Sequence, residues 1–277
     1  MMSFKRIVPI LVECDVGQKK YGVHFGGKFL YQAMMRENYP LEEPRVIHQR
    51  EFNNFNHGMK RLKEETHKVL REKNFPLILG GDHSISYGSL KGVLEYYRNN
   101  IHVLWIDSHT DINTEESSTT KSRHGMPLSS LMGFNNEDWG MDDNKYNLQP
   151  EQLTYFGINS IDDFEMKKIK ELNISYIHRD DLLTKAPADL IPEGVPIHIS
   201  FDVDVLDKQF VSCTGTPVDR GLEPEIVDVL MSHLRGQVVS MDIVEYNPFM
   251  GNVNENELSL YSILCATQGF FNNTVKI

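Results

Sequence analysis

Three cysteines in 277 residues are too few and too scattered for a disulfide framework. Cys14, Cys213 and Cys265 form no CxxC pair, which also argues against a thiolate zinc site. Long apolar runs are missing. The Ile7–Val12 stretch is interrupted by Pro9, falls far short of a membrane span, and lacks the small-residue cleavage site of a secretory signal. A cytoplasmic location is therefore expected. Basic excess is missing too: 28 Lys and Arg against 39 Asp and Glu leave a net charge of -11. Neither nucleic acid nor an anionic membrane is an expected partner, because no positive surplus exists to displace counterions. The acidic balance suits cations, either metal ions or a small cationic substrate. With no repeat, low-complexity tract or linker-like composition shift, residues 1–277 read as one domain at the upper edge of what one core supports.

What the chain does have is a recurring alternation. Apolar, β-branched runs at Arg6–Cys14, Phe75–Leu79, Ile101–Asp107, Leu153–Gly157, Ile174–His178, Val195–Phe201 and Val238–Val244 read as strands buried on both faces. Helical patterns lie between them. Phe55, Met59, Leu62, Val69 and Leu70 recur at helical spacing, and Glu223–Arg235 opens on Pro224 and closes at Gly236. This predicts an α/β fold: a mostly parallel sheet of about eight strands with helices on both faces. Gly133–Pro150, rich in Asn, Asp and Gly, reads as a loop excursion.

Four of the strands run into charged sequence at their carboxyl ends: Gly80-Gly81-Asp82-His83-Ser84, Asp107-Ser108-His109-Thr110-Asp111, Ser200-Phe201-Asp202-Val203-Asp204 and Asp242-Ile243-Val244-Glu245. That edge is where open parallel sheets bind ligands. Alternate residues of an extended chain share a side, so Asp107, His109 and Asp111 converge, as do Asp202 and Asp204. Alone, Asp82 and Ser84 read as a helix cap and His83 as a core histidine. Together, four carboxylates and two imidazoles in a small volume are intolerable without a counter-charge. Two divalent cations roughly 3.5–4 Å apart supply it. An oxygen-rich set without thiolate favours manganese, although cobalt or zinc also fit.

The segments Gly80–Ser84, Asp107–Asn113 and Ser200–Asp207 resemble, in order and separation, the three signature motifs of the ureohydrolase family. Asp111-Ile112-Asn113-Thr114, His124-Gly125-Met126-Pro127 and Gly17–Val23 resemble its arginase branch. The resemblance implies two Mn²⁺ per subunit: one held by His83, Asp107, Asp111 and Asp202, the other by His109, Asp107, Asp202 and Asp204. It implies hydrolysis of L-arginine to L-ornithine and urea, with a hydroxide between the ions attacking the guanidinium carbon. Asp111 would orient that nucleophile, and Asp111 or His124 would supply the proton that the departing amine requires. Glu245 would pair with the guanidinium, Asn113, Thr120 and Ser122 would meet the α-carboxylate, and Asp162 the α-ammonium, with Thr216 also lining the substrate. A homotrimer or a pair of trimers is implied as well.

The chain also departs from the family pattern. Ser108 stands for an alanine, Ser122 for an asparagine, Thr120 for a serine, Ser160 for an acidic residue, and Lys208 and Ser212 for prolines. These bear on selectivity more than on hydrolysis. Two alternatives stay open: another guanidino or amidino substrate of the agmatine type, and a catalytically silent relative. Gly22–Lys28 fits a phosphate-loop skeleton, but Phe29 stands where that loop needs Ser or Thr, so no nucleotide is expected.

Overall fold

The structure is a computed structural model that describes residues 4–141, 144–182 and 191–272. The apolar runs form strands β1 (Ile7–Val12), β3 (Phe75–Leu79), β4 (His102–Ile106), β5 (Leu153–Ile158), β6 (Ser175–His178), β7 (Ile197–Asp202) and β8 (Val238–Val244). The eighth, β2 (Arg45–Ile47), has no such run. It is a three-residue edge strand pairing only with β1, so one buried side chain, Ile47, suffices. All pairings between named strands are parallel, in the order β2-β1-β3-β8-β7-β4-β5-β6.

Helices cover both faces because the strands other than the edge strands β2 and β6 are buried on both. The intervening segments form α1 (Gly26–Arg36), α2 (Phe55–Arg71), α3 (Ser86–Tyr97), α4 (Pro127–Met132), α5 (Asp163–Leu172), α6 (Pro224–Leu234) and α7 (Val253–Asn272). Leu30 of α1, Met231 of α6 and Ile263 of α7 pack with Leu77, Leu79 and Ile199 on one face. Met59 of α2, Leu90 of α3, Leu128 of α4 and Ile169 of α5 pack with Ile78, Val103 and Trp105 on the other. Gly133–Pro150 buries Trp139 and Leu148, so part of that excursion is anchored in the second core. Among the described residues no helix is long and apolar enough to cross a membrane.

One polar group inside this frame makes stability depend on pH. His102, 3% exposed at the start of β4, shares a 2.9 Å hydrogen bond with the Thr154 hydroxyl. Burial pushes its pKa down from 6.5 to about 4. The unfolded chain therefore takes up a proton that the folded chain refuses, so this stability is complete above pH 6.5 and lost as pH falls towards 4, by up to roughly 3 kcal/mol. Urea midpoints at pH 7 and 4.5 should fall less for His102→Gln than for the native chain. Equal drops in both proteins would remove His102 from the account.

Candidate metal centre and active site

The four strands with charged carboxyl ends, β3, β8, β7 and β4, are the four central strands of the sheet. Their tips therefore meet over the middle of the molecule. After β3, Gly80 and Gly81 adopt φ of 85° and 83° and turn the chain inward. Asp82 then caps the short turn His83–Ile85: its carboxylate accepts the Ser84 N–H at 3.0 Å and the Gly17 N–H at 2.9 Å. The capping role read for Asp82 is real, and it ties the N-terminal loop to the site.

His83 is fully buried, its ring stacked on Trp105 at 4.1 Å and 8°. Nε2 lies 2.9 Å from the Ser200 hydroxyl, which leaves Nδ1 facing the carboxylates. Nδ1 is 3.1 Å from Asp107, 3.0 Å from Asp111 and 3.2 Å from Asp202. Asp107 accepts the His109 N–H on Oδ1 at 2.7 Å and the Trp105 indole N–H on Oδ2 at 3.0 Å. His109 Nδ1 lies 3.5 Å from Asp107 and 3.2 Å from Asp204. Asp202 accepts the Asp204 N–H at 2.8 Å, and Asp204 accepts the Thr216 hydroxyl at 2.5 Å.

Among the described residues two groups of donor atoms lie close enough for a metal ion: His83, Asp107 and Asp202, and Asp107, His109 and Asp204. Asp107 belongs to both. Asp111 sits beside the first group on a left-handed backbone, φ 46°, a strain of the kind that accumulates at functional positions. Asp202 falls in the first group only, so the spacing-based convergence holds while its second bridging contact is not among these groups.

The electrostatics match the crowding. Burial, and then Asp107, pushes Asp111 up to about 7. Burial, Asp204 and Asp107 push Asp202 well above the usual carboxylate range. Burial also opposes ionisation of Asp107, but His109 and His83 outweigh it and hold that carboxyl low. Asp204 Oδ1 and His83 Nδ1 are buried with no hydrogen-bond partner. Orphaned ligand atoms among mutually repelling carboxylates fit a pair of divalent cations.

Glu245, buried at the end of β8 with φ 68°, closes the site. Its Oε1 accepts the His83 N–H at 2.7 Å and lies 3.3 Å from His124 Nδ1, while Oε2 accepts the Gln18 amide. Burial lowers the pKa of His124, but Glu245 outweighs it and raises it to about 9. Of the other expected residues, Asn113 donates to Asp162 at 2.8 Å, and Asp162 also caps α5 by accepting the Glu165 N–H at 2.9 Å. Thr120 accepts the Ser122 N–H at 3.2 Å. Thr216 stands apart from that loop, on Asp204.

The model of the Arginase family matches residues 5–267. The chain belongs to the arginase family. Bacillus subtilis arginase is 32% identical over 277 residues, covering 91% of this chain and 93% of its own. Its crystal structure superposes with a TM-score of 0.84 at 30% identity, over 95% of this chain and 98% of that one. The Entamoeba histolytica arginase structure, solved with L-ornithine, gives a TM-score of 0.86 at 28% identity, over 98% and 99%.

The sequence reading gave no role to Trp105, Ser200, Gln18 or His198. Trp105 and Ser200 each stand two places before a candidate ligand aspartate, so the alternation that grouped the aspartates also reached them. Gln18 lies in the Gly17–Val23 segment, but its partner Glu245, 227 residues away, cannot be read from that segment. His198, two places before Ser200, lies deeper in the sheet, where it shares a 2.8 Å hydrogen bond with Ser240 and approaches Asp242 at 3.3 Å.

Proposed function

We propose that this chain is a manganese-dependent hydrolase that cleaves the guanidinium group of L-arginine, giving L-ornithine and urea. The observation that carries the reading is Asp107 shared by two adjacent donor groups in an arginase-family fold. His83, Asp107, Asp111 and Asp202 would hold one ion, and His109, Asp107, Asp202 and Asp204 the other. When bound, such a pair balances the carboxylates and lowers the pKa of water towards neutrality, supplying a nucleophile. The oxygen-rich donor set favours manganese.

The protein's own groups do the rest. Asp111, fixed beside His83, accepts a hydrogen bond from the attacking water and orients it. His124, 3.3 Å from Glu245, donates a proton to the departing amine. Glu245 presents a carboxylate pinned by Gln18 and the His83 backbone, so a planar guanidinium meets an acceptor already in place. Asn113, Thr120 and Ser122 receive the α-carboxylate, Asp162 the α-ammonium, and Thr216 steadies Asp204. Residues 1–277 act as one ureohydrolase domain in the cytoplasm, assembled as a trimer or a pair of trimers.

The test is metal analysis after loading with Mn²⁺, with urea release from arginine and from agmatine. Two ions per chain and a preference for arginine are expected. Asp162→Ala should raise KM for arginine and agmatine alike, because agmatine keeps the ammonium, whereas Asn113→Ala should raise KM for arginine about tenfold more than for agmatine, which lacks the carboxylate. Preference for agmatine would replace the substrate. A chain that binds two ions yet releases no urea would be a silent relative.

A further inference from the structure

An amino-acid substrate brings a carboxylate into an acidic site. Six carboxylates frame it, those of Asp107, Asp111, Asp202, Asp204, Glu245 and Asp162, while Asn113, Thr120 and Ser122 are neutral. A bound metal pair would balance four of these, but the residues assigned to the carboxylate are all neutral, so the placement of cations on the surrounding loops bears on how well it is held.

Four cations lie on these loops: Arg123 is paired with a carboxylate, Lys20 and Lys121 rest on carbonyls away from Thr120, and Lys19 reaches the Thr120 carbonyl. Lys121 is turned back onto the carbonyls of Glu115 and Glu116. Arg123 pairs with Glu137 at 2.6 Å and lies over the Phe55 ring at 4.2 Å. Lys20 donates to the Gly215 carbonyl. Lys19 is exposed, and its ammonium contacts only a neutral acceptor, the Thr120 carbonyl, at 3.2 Å. Among the described residues no carboxylate is paired with it.

Its position is set by the backbone. Gly17 donates to Asp82, and its carbonyl accepts the His124 N–H at 3.1 Å. A Cβ on Gly17 would lie 2.0 Å from Asp82 Oδ1, so the loop cannot be shifted by a larger residue there. Gln18 reaches Glu245 at the deep end, and the next side chain, Lys19, crosses to the loop that carries Asn113, Thr120 and Ser122. One segment thus touches both Glu245 and the loop assigned to the α-carboxylate.

We propose that Lys19 is a specificity-determining residue whose ammonium pairs with the α-carboxylate of an amino-acid substrate. This rests on the arginine-hydrolase reading above. Moving the ammonium from the Thr120 carbonyl to a carboxylate exchanges a neutral partner for a charged one, a stronger contact. A flexible four-carbon stem permits that movement without rearranging the loop. The interaction acts on binding rather than on the reacting carbon, so it appears in KM and not in kcat.

The experiment uses the manganese-loaded protein with Lys19→Gln, Lys19→Arg and, as a control on the remote face of α5, Lys170→Gln. Calorimetry with L-ornithine and with putrescine, the same diamine without the carboxylate, reads the Lys19 contact without turnover. Lys19→Gln should weaken ornithine about tenfold, leave putrescine and the ion count unchanged, and be rescued by arginine. In turnover, KM for arginine should rise about tenfold while kcat stays within twofold and agmatine is unaffected. Parallel losses for both calorimetric ligands, or no loss for either, would overturn the role of Lys19. Ornithine discrimination in a protein that releases no urea would retain Lys19 and discard the hydrolase reading instead.

Discussion

Asp107→Asn should cut urea release at least a thousandfold and abolish the stabilisation that Mn²⁺ gives the native chain. Asp107 is the only residue common to both donor groups. Asparagine keeps its shape but removes the charge and turns one oxygen into an N–H donor. Both oxygens already accept from fixed donors, the His109 N–H and the Trp105 indole, so the amide must place donor against donor on one side. Losing several kcal/mol of transition-state stabilisation corresponds to about three decades in rate. The binding arm is independent of rate. At a hundredfold excess over Kd, one ion stabilises the folded state by roughly 2.7 kcal/mol, which raises Tm by about 5–10 °C in a chain of this size. In the native chain a chelator should reverse that shift; in the variant there should be none to reverse. A variant that keeps two ions and the full shift would show that Asp107 is not the shared ligand.

The site was legible because its residues are grouped by short spacings. Asp107, His109 and Asp111 announce themselves within five positions, and the sheet needs only to place strand tips side by side. What spacing does not encode is the long-range partner. Gln18 on Glu245 and Ser200 on His83 depend on which strands become neighbours, and β3, β8, β7 and β4 are adjacent in an order the sequence does not spell out. The polar loop residues were the least legible. Asn113 and Asp162 satisfy each other, and Thr216 serves Asp204, because a short side chain finds whatever donor the loop brings near.

The fold shows the same division. Seven strands declared themselves as apolar runs; β2 did not, since an edge strand of three residues buries one side chain. The Gly22–Lys28 skeleton, set aside as a phosphate loop, has a structural use instead. Gly26 and Gly27 begin α1 so close to the sheet that Cβ atoms there would lie 2.1 Å from the carbonyls of Tyr246 and Leu79 respectively.

Gly80→Ala tests that close approach and should have the largest effect on stability in the chain. Two separate penalties act at this position. The backbone is left-handed, φ 85°, which costs an L-residue roughly 1–2 kcal/mol. The added Cβ would also stand 2.1 Å from the Gly27 nitrogen and 2.4 Å from its Cα. Both are backbone atoms, so no side chain can swing aside; α1 must lift off the end of β3, where Gly80 also donates its N–H to Ile243 at 2.8 Å. The sum should exceed about 4 kcal/mol, a drop in Tm of roughly 10–15 °C. Gly194→Ala separates the two penalties, because Gly194 is equally left-handed, φ 75°, with nothing within 4 Å of its would-be Cβ. It should melt only a few degrees below the native chain. If the two variants melt together, the approach of α1 to β3 is looser than these contacts imply, and backbone conformation alone accounts for glycine at position 80.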